Sequence, residues 1–488
     1  MRASKVPLGA VSAVVGFLVI VEFTSGVLQG YYTPLLTDIA RFLGVHDADV
    51  NWFEGTQLMV SALVVPALAK LGDMVGHKRI LLISTAITAV ASIALAFSPN
   101  FWIFLIAWSL QGFYVVWLPL EIALIYSRSR QHPHAAALTR KSAAYLVAGL
   151  ELGAIAGALA AGALGVALAG QLWLILLIPA LAVVACFFVV LFGVTESPEK
   201  TGGTLDRGGL VLITTALLVL TAGLSFMRLN GPGNPLPWLA IALGILLFVP
   251  FVRYELKQAD PLIDIRMFRT PAMWPVQVTA GLFGVSVLGA QAPLSTFART
   301  DASVYGYGLS ASTGETSILI GIYILSLVVG ALLFPLVTRV VRPRVALIGA
   351  ALLVALGYLL FLPLHDTLPQ LLVNMTVAGI GSGALVAALP AAAAAAAPHG
   401  QTGVATGLTN TTKTIGGAFA SCVFGIALLS YVTTSTGAEG TAGSLEGYMI
   451  VWTICGVTAL VAAALLVFVP KLAFQDAAET VEQTPAVR

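Results

Sequence analysis

Apolar runs long enough to cross a bilayer recur along the whole chain. A hydrocarbon core of about 30 Å takes roughly 20 residues of α-helix. Such runs fall near 8–33, 52–70, 80–98, 101–126, 142–169, 172–194, 208–227, 236–253, 272–297, 309–337, 345–363, 369–397, 403–431 and 448–470, fourteen in all. No soluble domain buries that much apolar chain. Charge agrees: only 9% of the 488 residues are charged, against about 25% in average soluble domains. A soluble enzyme is therefore excluded. A net charge of +2 offers no field for phosphate, so a nucleic-acid binder is excluded as well. The start, Met1 to Lys5, imitates a secretory signal. Its apolar run is too long for one and thirteen more follow, so a retained first helix is expected.

Catalytic and metal signatures are missing. Cys186, Cys422 and Cys455 sit apart in apolar runs, without a CxxC or a Cys/His cluster. Neither a disulfide framework nor a zinc site follows from that pattern. HExxH, GxSxG and P-loop patterns are also absent. Gly379, Gly381 and Gly383 lie inside an apolar run, where small residues serve helix packing. The expectation is a protein with no catalytic residues, no metal and no cofactor.

The bases set an orientation. If both ends are cytoplasmic and the fourteen runs alternate, 20 of the 24 Lys and Arg residues fall on the inner side. The outer side keeps Arg41, Arg228 and Arg299, and Lys413 lies within a run. Such asymmetry is what the positive-inside rule produces. Polar breaks at about 127–141, 195–207 and 253–271 divide the runs. An all-α membrane fold is expected, with a six-helix bundle over 1–194 and two linker helices within 195–271. A second six-helix bundle follows over 272–470, then a disordered cytoplasmic tail at 471–488. An echo between Pro66–Lys70 and Pro335–Arg339, each leading into a basic loop, suggests duplicated halves.

The loop after the second run reads Leu71-Gly72-Asp73-Met74-Val75-Gly76-His77-Lys78-Arg79. It resembles the cytoplasmic signature of the major facilitator superfamily, G-x-L-x-D-x-x-G-R-[KR]-[KR], with Ala69 and His77 as departures. Gly76 allows a tight turn and Asp73 is suited to cap a helix. Glu22 with Pro34 resembles the first-helix motif of the fourteen-helix drug:proton antiporter group. Gly149, Gly153 and Gly157 resemble that group's fifth-helix motif, with Ala154 in place of its proline. Tyr254–Arg269 resembles the loop entering the second bundle. Gln111-Gly112 matches R-x-x-Q-G, with Trp108 in the arginine position. The resemblance spans essentially the whole chain. It implies a secondary transporter working by alternating access, with Asp73, Gly76, Lys78 and Arg79 as a cytoplasmic latch between the bundles.

Charges inside a bilayer cost roughly 2.5–3.5 kcal/mol each and generally face a cavity. Glu22 shares a helical face with Gly26, Gln29, Gly30 and Thr33, which predicts a cavity face carrying a proton acceptor. Glu151 sits two residues from both Gly149 and Gly153, about 200° around the helix, so it points away from the glycine stripe. Glu121 shares a face with Trp117 and Tyr114, toward the inner end of its helix. Glu54 reads as a helix-start charge at the outer interface. Lys413 needs an acid partner, for which a carboxylate of the other bundle is one candidate, or an anionic substrate. Glu22, Glu151, Glu121 and Lys413 are thus the proton-coupling candidates. Gln29, Trp108, Gln111, Tyr114, Trp117, Tyr145, Asn374 and Asn410 are the substrate-cavity candidates.

The functional expectation is proton-driven export of an amphipathic small molecule, such as a drug, toxin or natural product, across a bacterial inner membrane. The transporter is expected to be monomeric, with both termini cytoplasmic and the proton gradient as its energy source. Its partners are the substrate, protons and lipid. The departures at Trp108 and Ala154 motivate an alternative: a symporter or a carrier of lipid-like substrates. A sensor or membrane enzyme is a remote third reading, because the chain has no extramembrane domain or catalytic cluster.

Overall fold

In lipid, a helix must satisfy its own backbone hydrogen bonds, so every apolar run becomes a helix or is buried by one. The structure, a computed structural model, describes residues 8–129, 135–196, 204–231, 233–259, 261–271, 273–396, 402–429, 432–433 and 439–468. Fourteen helical spans are long and apolar enough to cross a membrane: α1 (Val14–Leu43), α2 (Asp47–Val75), α3 (His77–Ala96), α4 (Phe101–Ser129), α5 (Lys141–Ala167), α6 (Leu172–Gly193), α7 (Arg207–Asn230), α8 (Pro235–Glu255), α9 (Trp274–Arg299), α10 (Thr313–Val337), α11 (Pro343–Leu360), α12 (Leu368–Ala394), α13 (Ala405–Leu428) and α14 (Leu445–Leu466). Among the described residues the only β structure is a two-residue ladder before α14. There β1 (Val432–Thr433) pairs antiparallel with β2 (Glu439–Gly440).

Two hydrophobic cores form. One joins α1–α6 around Trp108, Trp117 and Phe104. The other joins α9–α14, where Phe297, Phe361 and Trp452 pack ring on ring. α7 and α8 pack on each other and lean on the seam where α2 meets α13, through Leu58, Met59, Ile213, Leu217, Phe251 and Ala418.

The expected basic loop at 127–141 is mostly helical. α4 ends at Ser129, and the helix containing α5 begins at Ala135. Ala135, Ala136 and Ala137 supply the strongest helix propensity available. Arg130 and the tail 471–488 lie outside the described residues.

The first helix of each bundle is interrupted in its base-poor half. α1 passes through a 3-10 turn at Thr33–Leu35, where Pro34 lacks the N–H a helix needs. α9 breaks between Val287 and Gln291, just ahead of Pro293.

Glycines set the closest helix contacts. A Cβ at Gly153 would run into the Phe23 carbonyl, and one at Gly157 into that of Val27. In return, Gly26 faces the Leu150 carbonyl and Gly30 that of Ala154. α1 and α5 therefore lock together through two interleaved glycine stripes. α9 and α13 repeat the arrangement, with Gly284 on the Lys413 carbonyl and Gly416 on that of Gly281. This corrects the expectation for α1: Gly26 and Gly30 are packing positions, not gaps in a cavity wall. Helical spacing identifies a face but not what the face meets.

Gly153→Leu should cost at least the ~1–3 kcal/mol typical of overpacking, read as a lower melting temperature in detergent. Gly349→Ala, whose added Cβ meets nothing within 4 Å, should not lower it, because alanine favours the helix. Equal melting temperatures would refute the glycine lock.

Candidate functional site

At the base-rich end, α2 stops at Val75 and α3 begins at His77. The single residue between them, Gly76, has φ +121°, and a Cβ there would lie 2.6 Å from the Glu196 carboxylate. Glu196 explains the turn. Its Oε1 accepts from the Lys78 N–H at 2.9 Å and its Oε2 from the Arg79 N–H at 3.2 Å. An acid at a helix N-terminus satisfies orphan donors and the helix dipole together. The sequence had suggested Asp73 for capping. Asp73 instead lies within α2, with Oδ1 3.0 Å from His77 Nε2. Lys78 Nζ donates to the Leu191 carbonyl at 2.8 Å, and Arg128 to that of Thr195 at 3.0 Å. The first bond joins the signature loop to α6 and the second joins the end of α4 to the segment after α6, both within the first bundle. No local pattern could have singled out Glu196, because its partners lie 117 and 118 residues away.

Deeper in the first bundle, Glu22 of α1 and Glu121 of α4 are both 0% exposed. Their carboxyl groups lie side by side, and none of their oxygens accepts a hydrogen bond from any other group. Thr24 and Cys186 are close by. Glu121 is therefore the partner of Glu22. Gln29, expected on the same face as Glu22, is exposed while Glu22 is sealed. Glu54 also departs from expectation: it is half-buried and stands near Tyr114 rather than at the outer interface.

The second charge pair differs. The glycine stripe of α5 is taken up by α1, so Glu151 projects elsewhere, as its spacing predicted. Its charge interacts with Lys413 of α13, in the other bundle. Both side chains are half-buried. Among the described residues the two form no contact ion pair, and neither head group makes a hydrogen bond. Neither is sealed from solvent in the way Glu22 and Glu121 are. Tyr323 of α10 stands near Glu151. Asn410, one turn from Lys413, is half-buried.

Most of the aromatic candidates are core, not cavity. Trp108 is buried among Tyr32, Phe53 and Phe104. Where the family motif has an arginine, this chain thus places an aromatic cluster. Gln111 is fully buried and donates to the Tyr32 hydroxyl at 2.9 Å and to Ser92 at 2.8 Å. Trp117 is fully buried, with Tyr114 packed edge-on against it. Tyr145 is exposed, with the Lys141 ammonium 6.0 Å from its ring centre. Asn374 is buried and donates to the Leu364 carbonyl at 2.7 Å, closing the turn before α12. Buried aromatics fill helix interfaces as readily as they line cavities, and sequence alone does not separate the two.

A third cluster was not anticipated. At the base-poor ends, Arg299 of α9 pairs with Asp38 of α1. Thr313 of α10 donates to the same carboxylate at 3.1 Å, and Ser295 donates to the Thr33 carbonyl at 2.5 Å. Arg228 of α7 reaches Asp49 at 2.7 Å. The Asp47 N–H donates to the Thr441 carbonyl at 2.8 Å. These contacts tie the first bundle to the second and to the linker helices.

His46 lies between α1 and α2 within this seal. Its Nδ1 accepts from the Ala48 N–H at 3.0 Å, so Nε2 carries the proton in the neutral ring. Burial holds the imidazole below its usual range. Its contribution is therefore present above the unfolded value of about 6.5 and lost as pH falls through the lower folded value. Acidifying from neutral should lower the melting temperature of the wild type more than that of His46→Asn, which keeps an acceptor for Ala48. An identical fall in both would exclude His46.

Two helical bundles and two further helices, with one acid and one lysine facing each other from different bundles, define a membrane transporter fold. The profile of the Major Facilitator Superfamily matches residues 18–421, and the chain belongs to that family. It is similar to the cephamycin export protein CmcT of Amycolatopsis lactamdurans, 29% identical over 421 residues, covering 84% of this chain and 82% of that protein. It is also similar to the drug efflux pump JefA of Mycobacterium tuberculosis, 23% identical over 416 residues, covering 82% and 76%. Among solved structures, the POT family transporter PepTSo shares the fold with a TM-score of 0.67 at 12% identity, over 96% of this chain and 99% of that one.

Proposed function

We propose that this protein exports an amphipathic small molecule in exchange for protons, by alternating access in a bacterial inner membrane. The carrying observation is the sealed pair Glu22–Glu121. Ionised carboxylates only accept hydrogen bonds, and two of them side by side in a dry site repel. Such a pair holds together when one carboxyl is protonated and donates to the other, as in aspartic-protease dyads. A site of this kind takes up and releases a proton as it is exposed to one side or the other.

The segments 1–194 and 272–470 are the moving units, with both termini cytoplasmic as the base tally suggests. Contacts at the base-poor ends fit a state shut toward the outside. An export protein and an efflux pump among the similar proteins favour outward transport. The transporter works as a monomer in lipid and draws on the proton gradient, without a cofactor.

Everted vesicles with an imposed pH gradient should accumulate an amphipathic fluorescent dye, and collapsing the gradient should stop uptake. Glu22→Gln should reduce gradient-driven uptake to the level without a gradient, and Glu121→Gln should do the same. Unchanged uptake in both variants would remove the pair from the proton path. Trp108, in the arginine position of the family motif, favours symport as a second reading. Reversing the gradient separates the two, since symport would then drive uptake that antiport does not.

A further inference from the structure

We propose that Glu151 and Lys413 form the substrate-recognition site, and that the site takes an amphoteric molecule with an ammonium and a carboxylate on one apolar body. The inference rests on the reading of the chain as a transporter and adds the chemical class of its substrate.

The argument begins with placement. Glu151 comes from α5 and Lys413 from α13, so each bundle supplies one charge. The glycine lock with α1 fixes the rotation of α5, and Gly284 on the Lys413 carbonyl fixes that of α13. The charges interact across the seam without closing into an ion pair. Each is partly desolvated, and neither recovers that cost through a contact with the other. A ligand carrying both complementary charges recovers it at both ends. A monocation would meet Glu151 but be repelled by Lys413. A monoanion would meet Lys413 but be repelled by Glu151.

Among the described residues, other charged and titratable groups do not compensate the pair. Glu22 of α1 is sealed against Glu121. Glu54 of α2 stands by Tyr114. Arg299 of α9 is engaged by Asp38 at the base-poor end. From α10, Tyr323 stands near Glu151 and adds no charge at neutral pH. The site is therefore dipolar, and it bridges the two bodies that alternate.

The test uses the full chain purified in detergent at neutral pH, without a gradient, and titrates three fluorescent ligands with a common ring system. Norfloxacin is a zwitterion, its N-acetyl derivative a monoanion and its ethyl ester a monocation. Norfloxacin should bind about tenfold or more tightly than either relative, a difference worth ~1.4 kcal/mol. Lys413→Gln should bind norfloxacin and the ester alike, and Glu151→Gln should bind norfloxacin and the N-acetyl compound alike. The exchanged double variant Glu151→Lys/Lys413→Glu should restore the preference for the zwitterion, which keeps the test decisive where a single variant folds poorly. Similar affinity for all three ligands, binding of none, or single variants that keep the wild-type order would overturn the proposal. Proton coupling is read separately. Charge-selective binding with gradient-independent flux leaves this site standing and removes the coupling. Gradient-driven flux without charge selectivity does the reverse.

Discussion

Backbone contact between helices at glycine sets the rest of this structure. Lipid offers no hydrophobic drive for one helix to join another, so association depends on close van der Waals approach. Gly26, Gly30, Gly149, Gly153 and Gly157 let α1 and α5 meet carbonyl to Cα, and Gly284 and Gly416 do the same for α9 and α13. A helix held that closely cannot rotate. Its remaining side chains are then aimed without any hydrogen bond of their own, and Glu151 is the clearest case.

The protein treats its membrane charges in two ways. Glu22 and Glu121 are closed in with each other, away from any donor but their own proton. Glu151 and Lys413 are held apart in different bundles and stay reachable. The first arrangement suits a small, tightly held particle such as a proton. The second suits a larger and exchangeable partner. Where the family motif has an arginine, Trp108 fills the place with aromatic packing.

Much of the architecture was legible in the sequence, because the bilayer imposes a length and an apolar composition on each crossing. The all-helical fold and its fourteen runs follow from periodicity and length. The site was less legible. Spacing points Gly26 and Gly30 toward a cavity because a helical face can be read from sequence and its neighbour cannot. The burial of Trp108, Gln111 and Trp117 in helix interfaces escapes the sequence for the same reason. Glu196 and the pairs Asp38–Arg299 and Asp49–Arg228 join residues more than a hundred positions apart. Nothing local in the chain marks them as partners.

The seal at the base-poor ends has a different character from the glycine locks. It consists of ion pairs and hydrogen bonds at a rim, and its side chains are buried only in part: Arg228 is 19% exposed, and Asp38 is 29% exposed. Ion pairs open to water weaken as dissolved ions screen them, whereas van der Waals contact between backbones does not. Dissolved ions at that face therefore reach the partly exposed ends of these pairs and leave the backbone contacts within each bundle unchanged. Salinity thus enters the stability of the rim and not that of the glycine locks.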